Sequence, residues 1–154
     1  MSEQEQNTGP QFSLQRIYLR DSSFESPKAP ETFRGQWTPK VNLELNSRYS
    51  EIEPDLYEVV LGLTVTTRNE SEEVMYLVEV QQAGIFSING FEGDALTQAL
   101  GSFCPSVLFP YAREAIDSMV IKGSFPALML APVNFDAILE QVRAQRAQEG
   151  ASAH

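Results

Sequence analysis

Alternation of apolar and polar positions is the clearest pattern in the chain. Tyr57, Val59, Leu61, Leu63 and Val65 alternate with Glu58, Val60, Gly62, Thr64 and Thr66, and Val74, Tyr76, Val78 and Val80 alternate with Met75, Leu77, Glu79 and Gln81. A period of two places successive side chains on opposite faces of a strand, so these runs predict two strands. With the turn at Arg68–Glu72 they form an antiparallel hairpin with a longer loop. Val41, Leu43 and Leu45 alternate with Asn42, Glu44 and Asn46, a half-buried strand. From Phe12 to about Glu25 a long strand is expected, and its imperfect alternation at Ile17, Tyr18 and Leu19 predicts a bulge or a strand used on both faces. Between these strands, Ser26–Pro39 holds Pro27, Pro30 and Pro39 around Phe33 and Trp37 and reads as an irregular crossover. Residues 47–55 read as a polar, acidic loop closed by Pro54.

The second half of the chain changes period. The stretch from Gly84 to Gly93 is punctuated by glycine, with Asn89-Gly90 as a turn signal. Asp94 can cap a short helix to Leu100, stopped at Gly101. Leu108, Tyr111, Ala112, Ala115, Ile116, Met119 and Val120 recur at i, i+3 and i+4, an amphipathic helix ended by Gly123. Asn134 is suited to cap a last helix with Phe135, Ile138, Leu139 and Val142 on one face. Asp136 near its start and Arg143 and Arg146 near its end suit the helix dipole. Four strands followed by helices predict an α+β fold with a four-stranded antiparallel sheet, a long helix and a C-terminal helix. Residues 11–147 form its single domain, between a disordered N-terminus (1–10) and a flexible tail (148–154).

One segment fits neither period. Phe125–Phe135 is almost wholly apolar yet carries Pro126 and Pro132, so it is neither a regular helix nor a central strand. It is either a buried connector or the wall of an apolar binding surface.

Composition narrows the chemistry. A chain of 154 residues can bury a substantial core, and its net charge of −10 disfavours nucleic acid and anionic membrane as partners. Residues 44–94 hold eleven acids against Arg48 and Arg68, which is −9 of that −10. This is either a solvated face or a docking face for a basic partner. Met1–Thr8 is polar without an apolar signal region, no apolar run is long enough to span a bilayer, and Cys104 is the single cysteine. These features predict a cytoplasmic protein without an intrachain disulfide. His154 is the only histidine and the last residue, so histidine-based catalysis and a metal site are not expected. Cys104, beside Pro105 in apolar surroundings, reads as a packed thiol. No phosphate-binding glycine loop occurs. Neither an enzyme nor a cofactor is expected.

Two surfaces stand out. Asp21 and Glu25 share a strand face if the first strand reaches them, and so do Leu77 and Glu79. An apolar residue beside carboxylates on an exposed sheet face suits protein docking, and a merely solvated face has the same spacing. The second surface is apolar: Phe33, Trp37, Val41, Leu43, Leu45, the 125–135 segment and the last helix offer more apolar loop material than a core needs.

The runs Tyr57-Glu-Val-Val-Leu61, Glu79-Val-Gln-Gln-Ala-Gly-Ile-Phe86, Cys104-Pro105, Leu108-Phe-Pro-Tyr-Ala-Arg-Glu114 and Leu130-Ala-Pro-Val-Asn-Phe-Asp136 resemble, in order and spacing, the SecB family of protein-export chaperones. The resemblance covers about Phe12 to Val142. It implies a homotetramer, a dimer of dimers with sheets outside and long helices between. It further implies that unfolded preproteins are bound without ATP and delivered to the SecA motor, with no insertion into the membrane. By the same resemblance, Asp21, Glu25, Leu77 and Glu79 would meet SecA. Val78, Val80 and Gln82 would govern the tetramer interface. Clients would bind along Trp37, Val41, Leu43, Leu45, Phe135, Ile138, Leu139 and Val142. An acidic adaptor for one folded basic partner is the alternative reading.

Overall fold

The computed structural model describes residues 9–152. Its strands are β1 (Gln11–Glu25), β2 (Lys40–Glu53), β3 (Leu56–Arg68) and β4 (Val74–Asn89). They form one sheet in the order β1-β4-β3-β2, antiparallel throughout. A short helix α1 (Asp94–Gln98) runs through a π turn (Ala99–Phe103) into the long helix α2 (Cys104–Lys122), and α3 (Phe135–Ser152) closes the chain. The expected disorder of residues 1–8 and the position of His154 lie outside the described residues. Residues 148–152, expected as tail, are the last turn of α3.

Sidedness follows from the period. On β3 the residues Val59, Leu61, Leu63 and Val65 turn to the helix layer, and on β4 Tyr76, Val78, Val80, Phe86 and Ile88 do the same. Against them α2 presents Leu108, Ala112, Ile116 and Val120, spaced as one helix face. This is the core, and the opposite face of the sheet is open.

Three expectations are corrected. Residues 47–53 are strand, because the backbone of β3 from Tyr57 to Leu61 offers a free edge that Ser47, Tyr49 and Glu51 complete. Local polarity yields to pairing. Gly84 is in the middle of β4, where a β-carbon would stand 2.8 Å from the Phe86 ring and 3.0 Å from Leu108 Cδ2. Its lack of a side chain lets α2 approach the sheet. The chain turns only at Gly90, which has φ 81°. Gly101 does not stop a helix; a β-carbon there would stand 2.9 Å from Leu139 Cδ1, so the glycine admits α3. The π turn lies just before Pro105, whose missing N–H and bulky ring would disturb a regular ladder at that point.

Candidate functional site

β1 carries two bulges, between Leu14 and Arg16 and between Leu19 and Asp21. The second is decisive for the open face. Ile17 and Leu19 point to the helix layer, opposite Gly84 and Gln82; in an unbroken strand Asp21 would follow them inward. The extra residue reverses the phase. Asp21 then stands opposite Gln81, Ser23 opposite Glu79 and Glu25 opposite Leu77, all on the open face. Asp21, Glu25, Leu77 and Glu79 are thus brought together, the three acids exposed and Leu77 half-buried. Thr64 Oγ1 donates to Glu79 Oε1 at 3.2 Å from the neighbouring strand.

Val78, Val80 and Gln82 occupy the other face. Val78 and Val80 are 0% exposed, packed beside Val65 and Leu63 under α2. Gln82 is also buried, with its Nε2 donating to the Tyr18 carbonyl at 3.1 Å. Within the subunit all three lie on the face of β4 that packs under α2.

The apolar surface is a groove between β2 and α3. Odd-numbered residues of β2 face the helix layer but lie beyond its cover, so Val41, Leu43 and Tyr49 stay exposed. A cavity of about 350 Å³ is lined by Leu45 and Tyr49 from β2, Gly101 from the π turn, and Phe135, Ile138, Leu139 and Val142 from α3. Five expected residues (Leu45, Phe135, Ile138, Leu139, Val142) therefore meet in one hollow. Trp37, Val41 and Leu43 do not line it. Trp37 packs its ring on Phe125 with centroids 5.8 Å apart, and Phe33 does so at 5.3 Å. These two exposed aromatics cap a cluster with Tyr76 and Phe24 beneath. Tyr49 was missed because its segment reads as a loop; its place in the odd-numbered series of Val41, Leu43 and Leu45 is the signal that could have found it.

The position of α3 is built by side chains. Asn134 Oδ1 accepts from the Ala137 N–H at 3.1 Å, the expected cap. Asp136 Oδ1 accepts from Gln98 Nε2 and Ser102 Oγ, which binds the first turn of α3 to the π turn. Phe135 is buried with its ring 6.1 Å from that of Phe109. The connector 125–134 is held along α2: Asp117 Oδ1 accepts from the Leu128 N–H at 2.9 Å and the Met129 N–H at 3.4 Å. Leu128, Leu130 and Val133 pack against the core, whereas Met129, at φ 51°, is 78% exposed. The segment is therefore a connector over most of its length and presents one methionine outward.

Cys104 is fully buried, and burial pushes its thiol up to about 12, as a packed thiol should behave. No group of three or more His, Cys, Asp or Glu side chains that could hold a metal occurs among the described residues. No described helix is long and apolar enough to cross a membrane.

The family profile described as preprotein translocase subunit SecB matches residues 5–146. This chain belongs to the SecB family. It is a protein-export chaperone, and its relatives agree. It is 62% identical over 144 residues to the protein-export protein SecB of Pseudomonas savastanoi pv. phaseolicola, covering 94% of this chain and 88% of the relative. It is 60% identical over 149 residues to that of Stutzerimonas stutzeri, covering 95% and 90%. With that of Marinobacter nauticus it shares 56% over 157 residues, covering 98% and 94%. Among solved structures, a SecB-like chaperone of Mycobacterium tuberculosis, in complex with a ChAD peptide from an antitoxin, superimposes with a TM-score of 0.65. That match covers 79% of this chain and 90% of the other at 16% identity, a likeness of fold.

Proposed function

We propose that this SecB-family chaperone is an ATP-independent holdase that captures unfolded preproteins in the β2–α3 groove and passes them to SecA through the open face of its sheet. It works in the cytoplasm as a homotetramer, a dimer of dimers. The observation that carries the reading is the division of one sheet into two surfaces. The open side carries Asp21, Glu25, Leu77 and Glu79, and the helix side leaves β2 uncovered beside α3.

Capture follows from burial of apolar surface, which contributes about 25 cal/mol per Å² removed from water. Association and ordering costs offset much of that, so a single groove binds weakly and several grooves on one oligomer act by effective concentration. Selection is for the unfolded state because only unfolded chains present long apolar stretches. Trp37, Val41 and Leu43 lie outside the hollow but stay exposed, and they extend the client path toward the aromatic cluster. Met129 supplies a soft, adaptable contact.

Handover uses charge. The three exposed carboxylates attract a basic segment of SecA, and Leu77 among them offers a small apolar seat. The test is to add an unrelated denatured protein and follow its aggregation by light scattering without nucleotide, with native mass recorded in parallel. A tetramer that suppresses aggregation is expected. A protein that binds SecA but leaves aggregation untouched would overturn the holdase in favour of an adaptor.

A further inference from the structure

The open face is not uniformly acidic. Across the sheet in the order β1-β4-β3-β2, its side chains stand in rows: Arg16–Ile85–Glu58–Ser50, then Tyr18–Ala83–Val60–Arg48, then Asp21–Gln81–Gly62–Asn46, then Ser23–Glu79–Thr64–Glu44, then Glu25–Leu77–Thr66–Asn42. The last two rows hold the carboxylates Glu25, Glu44 and Glu79. The first two gather arginines at the other end. The bulge that turns Asp21 outward also leaves Arg20 extra in the strand, and its Nη1 reaches Glu58 Oε1 at 2.5 Å. Tyr18 donates its hydroxyl to the other oxygen of Glu58.

Glu58 is thereby fully engaged, while Arg16 and Arg48 have no ion pair among the described residues. Arg48 Nη1 is held by Gln81 Oε1 at 3.0 Å, a neutral partner that orients the guanidinium without cancelling its charge. Arg20, Arg48, Tyr49, Ser50, Glu58 and Val60 line a hollow of about 130 Å³, the scale of a single side-chain head group. Between the two ends Gly62 has no side chain, and Asn46 and Gln81 close over it: a β-carbon there would meet Asn46 Oδ1 at 2.5 Å and Gln81 Nε2 at 2.9 Å. The middle row is thus a low saddle of neutral amides, with Asp21 at its β1 edge.

We infer that the open face is a two-pole dock for SecA, in which the carboxylates take a cationic stretch of that partner and the hollow walled by Arg20 and Arg48 takes a carboxylate of the same partner. This rests on the reading of Asp21, Glu25, Leu77 and Glu79 as the docking surface. Ala83 and Glu79 are four residues apart on β4, so the poles are separated by about 13 Å at roughly 3.3 Å per residue. A segment with cations at one end and an acid about four extended residues away fits both poles in one direction only. The arginines therefore set the orientation of the docked partner. A polyanion fits poorly, because continuing past the arginines it would run onto Glu79 and Glu25.

The sign of one substitution tests this. SecA is the probe, and its affinity for the full-length assembled protein is measured at low salt for Arg20→Gln, Arg48→Gln and Glu79→Gln. If the partner brings a carboxylate to the arginines, Arg20→Gln and Arg48→Gln each weaken docking by about two- to fivefold. Arg48→Lys then keeps most of the affinity. If the partner brings only cations, removing a nearby arginine relieves repulsion and docking tightens; that outcome, or no change, overturns the second pole. Glu79→Gln separates the two claims. If Glu79→Gln leaves the affinity unchanged, the docking reading itself fails. If it weakens docking while the arginine variants tighten it, only the second pole falls. Client capture should stay at the wild-type level in all the variants. Should Arg48→Gln disturb the fold through the lost Gln81 contact, Arg20→Gln, on the same hollow, decides alone.

Discussion

The groove beside α3 and the open face of the sheet share only β2 and differ in what each could offer a partner. In the groove, Leu45, Phe135, Ile138, Leu139 and Val142 surround an apolar hollow, so binding depends on area removed from water. On the open face, exposed carboxylates and arginines stand in rows on a rigid sheet, so binding depends on charge and spacing. The first surface is tolerant of sequence, because apolar burial has no direction. The second is directional and screened by salt. On the proposed reading, a chaperone that accepts many clients and docks to one motor uses both properties, and a sheet with opposite faces would keep them from interfering.

The sharpest way to break that separation is Glu79→Lys. Placing a cation among Asp21, Glu25 and Leu77 should reduce SecA affinity by about tenfold or more and leave capture of a denatured client unchanged. Surface plasmon resonance for SecA and light scattering for capture would check it, and a parallel loss of capture would show that the faces are coupled. Ile138→Ala should do the opposite. It removes buried methylene groups at about 0.8 kcal/mol each, so client affinity should fall by about three- to tenfold with SecA docking intact.

Salt sharpens the same contrast without mutation. The Debye length is about 8 Å at physiological ionic strength and shorter above it, so raising salt should weaken docking severalfold while capture changes little. Gly101→Ala should have a smaller effect. The new methyl meets the flexible end of Leu139, which can shift, so the groove is reshaped and client affinity changes by about twofold with the thermal midpoint nearly constant. The smallest effect is expected at the Lys40–Glu72 pair joining β2 to the β3–β4 turn. Lys40 holds the Glu72 carboxyl below its ordinary range through a hydrogen bond and charge. Its contribution is present above the ordinary carboxylate range and is lost as pH falls through the lowered value. Lys40→Met should therefore alter thermal midpoints slightly at neutral pH and not at all in strong acid, leaving both binding activities unchanged.

Much of this architecture is legible in the residue pattern. The hairpin of β3 and β4, the face of α2 from Leu108 to Val120, the Asn134 cap and the packed Cys104 all follow from periods and local chemistry that neighbours reinforce. The four acidic-face residues and the helical half of the groove were also found, partly from spacing and partly from family resemblance. Tyr49 and Gly101 were not, since one lies in a polar run and the other reads as a helix stop.

The chain by itself determined which positions alternate, where apolar faces occur and where its acidic charge gathers. A local pattern, however, specifies two faces without naming which is inner. Tertiary pairing decided that. The bulge between Leu19 and Asp21 turned the acids outward, pairing with β3 made a strand of residues 47–53, and packing of α2 enclosed Val78, Val80 and Gln82. The 125–134 connector, ambiguous by composition, was settled when Asp117 took its amides and left Met129 in solvent. In each case the deciding partner lies outside the segment itself, where a period within one element has no reach.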